Sequence, residues 1–315
     1  MRAKAAFLFP GQGAQYPGMG KDFCERFSIA QATFEEADRL LGWSLSTLVF
    51  EGPSEQLTLT KNNQLAIYVT SVAILRVIAS EFPQLKPQFC AGLSLGEYTA
   101  LTAAGILSFG DCLELVRVRA EAMHKACEEI QGSMQVVLGL SEEAVASVVD
   151  QLNPPHPLWV ANLNCPGQVV IAGSLEALAL AEGPLKAAKA KRILPLEVSG
   201  AFHSGLMKSA QEALKAKIEA TPFIEGQARV VMNVTGNVPL SLNEVRVLLI
   251  DQVVSCVRWE KGICNLEAQG VDFYVEMGPG KTLSGMNKRI GSTKPMYSIE
   301  KVADLEIARG ALCNC

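Results

Sequence analysis

Short apolar runs alternate with longer stretches of helical periodicity along most of the chain. The runs Ala5 to Phe9, Phe89 to Leu93 and Phe273 to Glu276 are predicted strands. Before "CLELVRVRAEAMHKACEEI", the segment "SFGD" offers Ser108 as a helix N-cap with an acidic residue three positions later. This alternation is typical of a mostly parallel sheet covered by helices.

Between about Ser133 and Ser199 a second pattern interrupts the first. "MQVVLGL" is a predicted strand, "SEEAVASVVDQL" a helix, "LWVANLN" and "QVVIAG" two strands, "SLEALALAEGPLKAAKA" a helix and "RILPLEV" a strand. This βαββαβ order is that of the ferredoxin-like unit. We therefore predict a large α/β domain formed by residues 1–130 and 200–315, with residues 131–199 inserted as a small ferredoxin-like domain.

Composition narrows the possible classes of protein. The 315 residues are 49% hydrophobic with a net charge of −4, which argues against a nucleic-acid binder. Nine cysteines without any C-x-x-C pair argue against a disulfide framework or a zinc ribbon and favour a reducing compartment. The longest apolar stretch, from Leu65, contains Arg76 and Glu81 and is predicted to be a buried helix instead of a membrane span.

The N-terminal region predicts the location of the protein. A strand that begins at Ala5 leaves no room for a signal peptide. We therefore expect a cytoplasmic protein, and a mature organelle form stays open as an alternative. As separate expectations, the protein is a monomer and needs no bound metal or cofactor.

Two glycine-rich segments resemble nucleotide-binding loops but lack the required residues. In "FPGQGAQYPGMG", residues 9–20, the dinucleotide pattern fails because Tyr16 stands where its third glycine belongs. In "MGPGKTLSG", residues 277–285, the pattern for a triphosphate fails because Val275 stands where its first glycine belongs. The sequence therefore predicts no nucleotide site at either segment.

The segment "GLSLG" matches the nucleophile-elbow pattern G-x-S-x-G, with Ser94 between a predicted strand and a helix of small residues. Such a serine needs a general base, and the chain has three histidines. His124 on the long helix and His156 in a proline-rich loop are predicted to be structural. His203, at a turn before a helix, is the best candidate for the base.

Arg119 places a charge beside an apolar stripe, because it shares a helix face with Leu115 and Met123. Two interpretations stay open at this point. The guanidinium pairs with Glu121 or another carboxylate of the protein, or it binds a substrate carboxylate through two hydrogen bonds.

Together these segments resemble a known family. The motifs, in chain order, are "FPGQGAQYPGMG", "GLSLGEY", "RAEAM", "VANLNCPGQVVIAG", "VSGAFHS", "QVVSCVRW" and "EMGPGKTLSGM". Their identity and order resemble the malonyl-CoA:acyl carrier protein transacylases of fatty acid synthesis, over nearly the whole chain. The resemblance implies an α/β-hydrolase-like large domain with an inserted ferredoxin-like domain, in agreement with the elements predicted above.

The resemblance also implies roles for single residues. Ser94 takes the malonyl group from the coenzyme A thioester, and His203 acts as its base and later as the acid for the departing thiol. The backbone N–H groups of Gln12 and Leu95 form the oxyanion hole. Arg119 binds the free carboxylate of the malonyl group.

Three further residues acquire roles in the same way. The backbone carbonyl of Gln252 orients the catalytic histidine in place of an acidic side chain. Phe202 resembles the bulky residue associated with malonyl in preference to methylmalonyl units, and Asn162 corresponds to a substrate-binding position. Leu93 and the pair Cys256 and Arg258 depart from the usual family residues, and we expect these changes to tune packing only.

The implied reaction uses malonyl-CoA as donor and the phosphopantetheine thiol of acyl carrier protein as acceptor. An acidic carrier protein is expected to dock on one of two basic clusters, formed by Lys186, Lys189, Lys191 and Arg192 or by Lys281, Lys288 and Arg289. Two alternatives stay open. A hydrolase with the same elbow serine predicts an acidic triad partner and rapid hydrolysis, and a silent scaffold predicts no covalent adduct.

Overall fold

The computed structural model describes residues 3–313. The strands within these residues are β1 (Ala5–Phe9), β2 (Pro87–Gly92), β3 (Gly132–Leu138), β4 (Leu158–Cys165), β5 (Gln168–Ser174), β6 (Arg192–Pro195), β7 (Arg229–Val231), β8 (Phe273–Met277) and β9 (Met296–Ile299). The α-helices are α1 (Lys21–Arg26), α2 (Ser28–Leu41), α3 (Leu45–Glu51), α4 (Ser54–Thr58), α5 (Thr60–Glu81), α6 (Gly96–Ala103), α7 (Phe109–Glu129), α8 (Glu142–Leu152), α9 (Leu175–Ala187), α10 (Lys208–Ala220), α11 (Leu242–Asp251), α12 (Trp259–Ala268), α13 (Thr282–Ile290) and α14 (Val302–Cys313).

The large domain is built on a five-stranded sheet in the order β7-β2-β1-β8-β9, in which every neighbouring pair is parallel. The central strand β1 is buried along its whole length because helices cover both faces of the sheet. Phe7 and Phe9 pack on one face with α5 and α7, and Ala6 and Leu8 pack on the other with α12 and α13. The predicted α/β class is therefore observed.

Helix α5 is the main core helix of this domain. Within residues 3–313 it alone is long and apolar enough to cross a membrane, yet 78% of its apolar window is buried inside the protein. The prediction of a buried helix from Leu65 is confirmed. Its apolar composition follows from its burial against the sheet and against α2 and α7.

Residues Gly132–Pro195 form the small domain, an antiparallel sheet in the order β4-β5-β3-β6. Helices α8 and α9 cover one face, and the opposite face, through Met134 and Val136, joins the core of the large domain. The predicted βαββαβ order is thus observed. The domain boundaries at residues 130/131 and 199/200 stay a prediction.

Six of the predicted strands differ from the observed ones by one to three residues at an end, and the differences at β6 and β2 bear on the site. Strand β6 ends at Pro195 and not at Val198, although the Leu196 N–H still donates to the Met134 oxygen of β3 at 3.0 Å. Strand β2 ends at Gly92, and Leu93 begins the turn that follows it. The predicted start of α7 is confirmed, since the Ser108 Oγ accepts the N–H of Asp111 at 3.1 Å.

Candidate active site

Three loops meet at one edge of the large sheet. Because β7, β2 and β1 are adjacent and parallel, the segments that follow them leave the sheet side by side. Gly11 and Gln12 follow β1, Ser94 follows β2, and Asn233 follows β7. The carboxyl edge of the sheet therefore brings together residues that are up to 222 positions apart in the chain, Gly11 and Asn233.

Ser94 lies on a tight turn between β2 and α6, with a φ of +52°. This backbone conformation costs a residue other than glycine about 1–3 kcal/mol. The flanking glycines permit the turn, since a Cβ on Gly92 would lie 1.9 Å from the carbonyl carbon of Gly96, and one on Gly96 would lie 2.1 Å from the oxygen of Phe9. The G-x-S-x-G pattern thus follows from close backbone packing.

His203 contacts the serine directly. Its Nε2 lies 2.8 Å from the Ser94 Oγ, and its Nδ1 lies 2.8 Å from the backbone oxygen of Gln252. Since a carbonyl only accepts hydrogen bonds, the proton resides on Nδ1, which leaves Nε2 to accept from the serine hydroxyl. Burial, assisted by the positive charge of Arg119, lowers the pKa of His203 to about 4. The imidazole is therefore uncharged at neutral pH, with Nε2 able to accept a proton from the serine.

The group bonded to the His203 Nδ1 differs from the one that the hydrolase alternative predicts. That alternative predicts an acidic side chain on Nδ1, and the backbone carbonyl of Gln252 occupies this position. The two other histidines lie elsewhere: His124 is 3.7 Å from Glu128 on α7, and His156 is 3.9 Å from Glu176.

Arg119 is 1% exposed, and its guanidinium reaches the serine. Nη2 donates to the Ser94 Oγ at 3.0 Å and to the Gln252 Oε1 at 2.9 Å, and Nη1 donates to the Gln64 Oε1 at 2.5 Å. The Nε is buried and has no hydrogen-bond partner among residues 3–313. The guanidinium carbon also lies 5.3 Å from the ring centroid of Tyr98, within cation–π range.

No carboxylate within the described part of the chain lies within 4 Å of Arg119. Glu121, the partner considered from the sequence, pairs with Arg117 at 2.8 Å instead. A buried cation without an anion is costly, because it has lost its hydration and gained only neutral hydrogen-bond partners. An anion that entered beside Ser94 would meet a positive charge that has no carboxylate within 4 Å among the described residues.

The glycine-rich loop after β1 packs against the elbow. A Cβ on Gly11 would lie only 2.4 Å from the backbone oxygen of Leu93, so glycine is required for this close approach. Among residues 3–313, the backbone N–H groups of Gln12 and Leu95 have no hydrogen-bond acceptor. Two free main-chain donors thus lie in the segments next to Ser94, as an oxyanion hole requires.

Three polar residues support this arrangement in ways that the sequence did not reveal. The Asn233 side chain accepts the Ser94 N–H at 2.7 Å and donates to the Gly92 oxygen at 2.7 Å. Glu97, fully buried, accepts from the Asn233 N–H and from the Gln252 Nε2. The Gln64 Oε1 accepts a hydrogen bond from the Arg119 Nη1. Glu97 was detectable as the one charged residue of α6, whereas Gln64 follows a polar run at the start of α5 and no local pattern marks Asn233.

Phe202 precedes His203 in the chain, and Asn162 lies on β4 of the small domain. Phe202 is buried beside His203, and Asn162 is half-buried on β4, where the flanking residues bond to Val257 of the large domain. Neither side chain forms a hydrogen bond with Ser94 or Arg119 among the residues described. Their roles in substrate recognition stay predictions.

In the second glycine-rich segment, a carboxylate of the protein accepts the backbone N–H groups at the start of α13. The carboxylate of Glu276, at the end of β8, accepts the N–H groups of Leu283 at 2.9 Å and Ser284 at 3.1 Å. These donors at the start of α13 are the ones that a phosphate would use. In addition, no group of three or more His, Cys, Asp or Glu that could hold a metal ion occurs within residues 3–313.

Comparison with known proteins decides the family. Residues 6–305 match the family model described as Acyl transferase domain. The chain belongs to this acyltransferase family. The protein is 43% identical over 307 residues to the malonyl CoA-acyl carrier protein transacylase of Bacillus subtilis, with 97% of this chain and 96% of that protein covered. The resemblance seen in the sequence motifs is therefore confirmed, and the chain is an acyltransferase.

Solved structures of the acyltransferase family agree in fold. An acyl carrier protein S-malonyltransferase from Vibrio cholerae superposes with a TM-score of 0.93 at 38% identity, over 97% of this chain and all of that one. A type II PKS acyl-carrier protein in complex with its malonyl-transacylase gives a TM-score of 0.94 at 38% identity, over 98% of this chain. The predicted architecture of a large α/β domain with a small antiparallel domain is confirmed.

Proposed function

We propose that the protein transfers the malonyl group of malonyl-CoA to the phosphopantetheine thiol of acyl carrier protein, through a malonyl-Ser94 intermediate, and so supplies fatty acid elongation. One observation supports this most strongly. The Ser94 Oγ lies 2.8 Å from a neutral histidine nitrogen and 3.0 Å from a buried guanidinium that has no carboxylate partner. A nucleophile beside an unpaired cation suits an acyl group that bears its own carboxylate.

Acylation begins when the Ser94 oxygen attacks the thioester carbonyl and its proton passes to the His203 Nε2. The carbonyl oxygen becomes negative and accepts hydrogen bonds from the N–H groups of Gln12 and Leu95. The intermediate then collapses, the carbon–sulfur bond breaks, and the departing thiolate takes the proton from His203. The thiol of the carrier protein repeats these steps in reverse, so the mechanism is ping-pong.

The environment of His203 favours a thiol over water as the second nucleophile. Burial and Arg119 lower the pKa of His203 to about 4, so it is a weak base. A carbonyl partner also lacks the negative charge with which an aspartate would stabilise the imidazolium. A thiol ionises near pH 8.5 and water near pH 15.7, so a weak base activates the thiol far more readily. The malonyl enzyme should therefore persist until a thiol arrives.

The carrier protein is proposed to dock where the two basic clusters meet. Lys191 of the small domain and Arg289 of α13 line one shallow depression across the domain junction. Within residues 3–313, Lys186 is paired with Glu182 and Lys281 with Asp304, so these cations are partly neutralised. The other members of the two clusters are exposed and form no ion pair with a residue among 3–313. They are Lys189, Lys191, Arg192, Lys288 and Arg289.

Intact-protein mass spectrometry tests the proposed intermediate. We expect malonyl-CoA to add the mass of one malonyl group to the protein, and holo acyl carrier protein to remove it. Ser94→Ala should form no adduct, whereas Ser141→Ala, which alters only the cap of α8, should form it normally. An adduct that survives in Ser94→Ala would refute the mechanism. Rapid loss of the adduct in water would favour the hydrolase, and its complete absence the scaffold.

A further inference from the structure

Glu97 is a buried acid that the proposed mechanism does not use. It lies in the first turn of α6, three residues after Ser94, and its side chain is fully buried. Burial raises the pKa of Glu97 to about 8. A carboxyl group in such a place is costly unless its oxygens are well bonded. Each of its two oxygens binds a different loop of the site.

The first oxygen holds Gln252. The Glu97 Oε1 accepts from the Gln252 Nε2 at 3.0 Å, and the same Nε2 donates to the Ser94 backbone oxygen at 2.9 Å. The amide orientation is determined, because Arg119 can only donate and must face the Gln252 Oε1. Glu97, Gln252 and Arg119 therefore form a continuous chain of hydrogen bonds, and the backbone of Gln252 also bonds to the catalytic histidine.

The second oxygen holds the elbow. The Glu97 Oε2 accepts from the Asn233 N–H, and the Asn233 side chain bonds to the Ser94 N–H and to the Gly92 oxygen. These bonds support the turn whose φ of +52° is unfavourable for serine. One carboxyl group thus connects the loop after β7 and the segment before α12 to the nucleophile.

We infer that Glu97 is a positioning residue for malonyl transfer, which acts through the Gln252 amide to fix the Arg119 guanidinium beside Ser94. This inference rests on the proposed function, because it assigns Arg119 to the malonyl carboxylate.

Glu97→Gln distinguishes the bond to Gln252 from the bond to Asn233 without changing the shape of the residue. Its amide has one accepting oxygen, and the fixed main-chain N–H of Asn233 should take it. The new NH2 group would then face the NH2 group of Gln252, so two donors would oppose each other. Gln252 would move, and Arg119 would lose a partner, while the elbow would keep its support.

Steady-state kinetics with malonyl-CoA and acetyl-CoA test this inference. We expect Glu97→Gln to lower kcat/KM for malonyl transfer about 10- to 100-fold and acetyl transfer much less, because acetyl has no carboxylate for Arg119. Glu276→Gln is the matched control, since it also alters a buried, multiply bonded carboxyl group. It should lower stability and leave the ratio of malonyl to acetyl transfer unchanged.

A double-mutant cycle tests the route of the effect. If Glu97 acts through Gln252, the double variant Glu97→Gln, Gln252→Ala should have the same ratio of malonyl to acetyl kcat/KM as Gln252→Ala alone. An equal loss for both substrates, or multiplied losses in the double variant, would overturn the inference. If Glu97→Gln does not fold, Glu97→Asp replaces it. Its shorter side chain cannot bond to Gln252 and Asn233 at once, and the ratio of malonyl to acetyl transfer is again the measurement. Absence of a malonyl adduct in the unaltered protein would instead refute the proposed function.

Discussion

Replacing Arg119 with alanine should change which acyl group the protein transfers. The variant loses a buried guanidinium whose Nη2 lies 3.0 Å from the Ser94 Oγ. A hydrogen bond to a charged group contributes about 1.5–3 kcal/mol, so two bonds to a malonyl carboxylate are worth about 3–6 kcal/mol. At about 1.4 kcal/mol for each tenfold change, kcat/KM for malonyl transfer should fall about 10²- to 10⁴-fold.

Acetyl transfer should respond differently to the same variant. An acetyl group offers no carboxylate, so its transfer leaves the buried charge of Arg119 unpaired in the unaltered protein. Removing that charge relieves the mismatch, and the alanine variant should transfer acetyl at a similar or higher rate. The variant should also be less stable, because Gln64 and Gln252 each lose a donor.

The assay compares kcat/KM for the two thioesters with the same holo carrier protein, alongside urea unfolding. Arg117→Ala is the matched control, because Arg117 lies on the same helix but pairs at the surface with Glu114 and Glu121. This control should leave both activities unchanged. Equal losses of malonyl and acetyl transfer in Arg119→Ala would show that Arg119 is a structural residue, and the assigned carboxylate site would be wrong.

Three other predictions concern the base, the loop and the docking surface. Because the folded pKa of His203 is about 4 and its ordinary value is 6.5, adduct formation should stay constant down to about pH 4. As the pH falls from 6.5 to about 4, the free energy of unfolding should decline by about 3 kcal/mol, because His203 binds a proton in the unfolded chain before it does so in the folded protein. Gly11→Ala should destabilise the protein and slow acylation, because its Cβ would lie 2.4 Å from the Leu93 oxygen, whereas Gly285→Ala, in open space on α13, should stabilise it by about 0.5–1 kcal/mol. Lys191→Glu should raise KM for the carrier protein and leave adduct formation from malonyl-CoA unchanged.

Each of these predictions has a contrary outcome. A fall in adduct formation that begins near pH 6.5 would show that the histidine is not held neutral by its surroundings. Normal acylation in Gly11→Ala would remove the reason given for the glycine loop. Slower adduct formation in Lys191→Glu would indicate that this lysine serves the coenzyme and not the carrier.

The sequence was informative where the chemistry is local. Ser94 was detectable because the glycines two positions away on either side are required by a turn of only five residues. The helix after Ser108 was detectable from its cap and periodicity. The role of Arg119 was not decided by its helix face alone, which left pairing with Glu121 open. The family resemblance supplied that role, as it did for Gln12, Leu95 and Gln252.

Long-range contacts account for what the sequence did not show. Asn233 meets Ser94 across 139 positions, only because β7 and β2 are neighbours in the sheet. The strand order itself depends on which apolar runs pair, and apolar runs of similar composition do not specify their neighbours. Gln252 was identified for its backbone carbonyl, and the contacts of its side chain with Arg119 and Glu97 required the assembled fold.

The backbone conformation of Ser94 and His203 affects which substitutions these positions can accept. Among the described residues, only Ser94, Lys189 and His203 adopt a positive φ without being glycine. Two of the three are the proposed nucleophile and its proposed base. At position 94, glycine would relieve the backbone strain and remove only a small side chain, so a lineage released from the need for catalysis would gain stability by accepting it. At position 203, glycine would also remove a buried ring, and that loss opposes the gain. Glycine at position 94 in a homologue would therefore mark a protein that has kept the fold and abandoned the reaction.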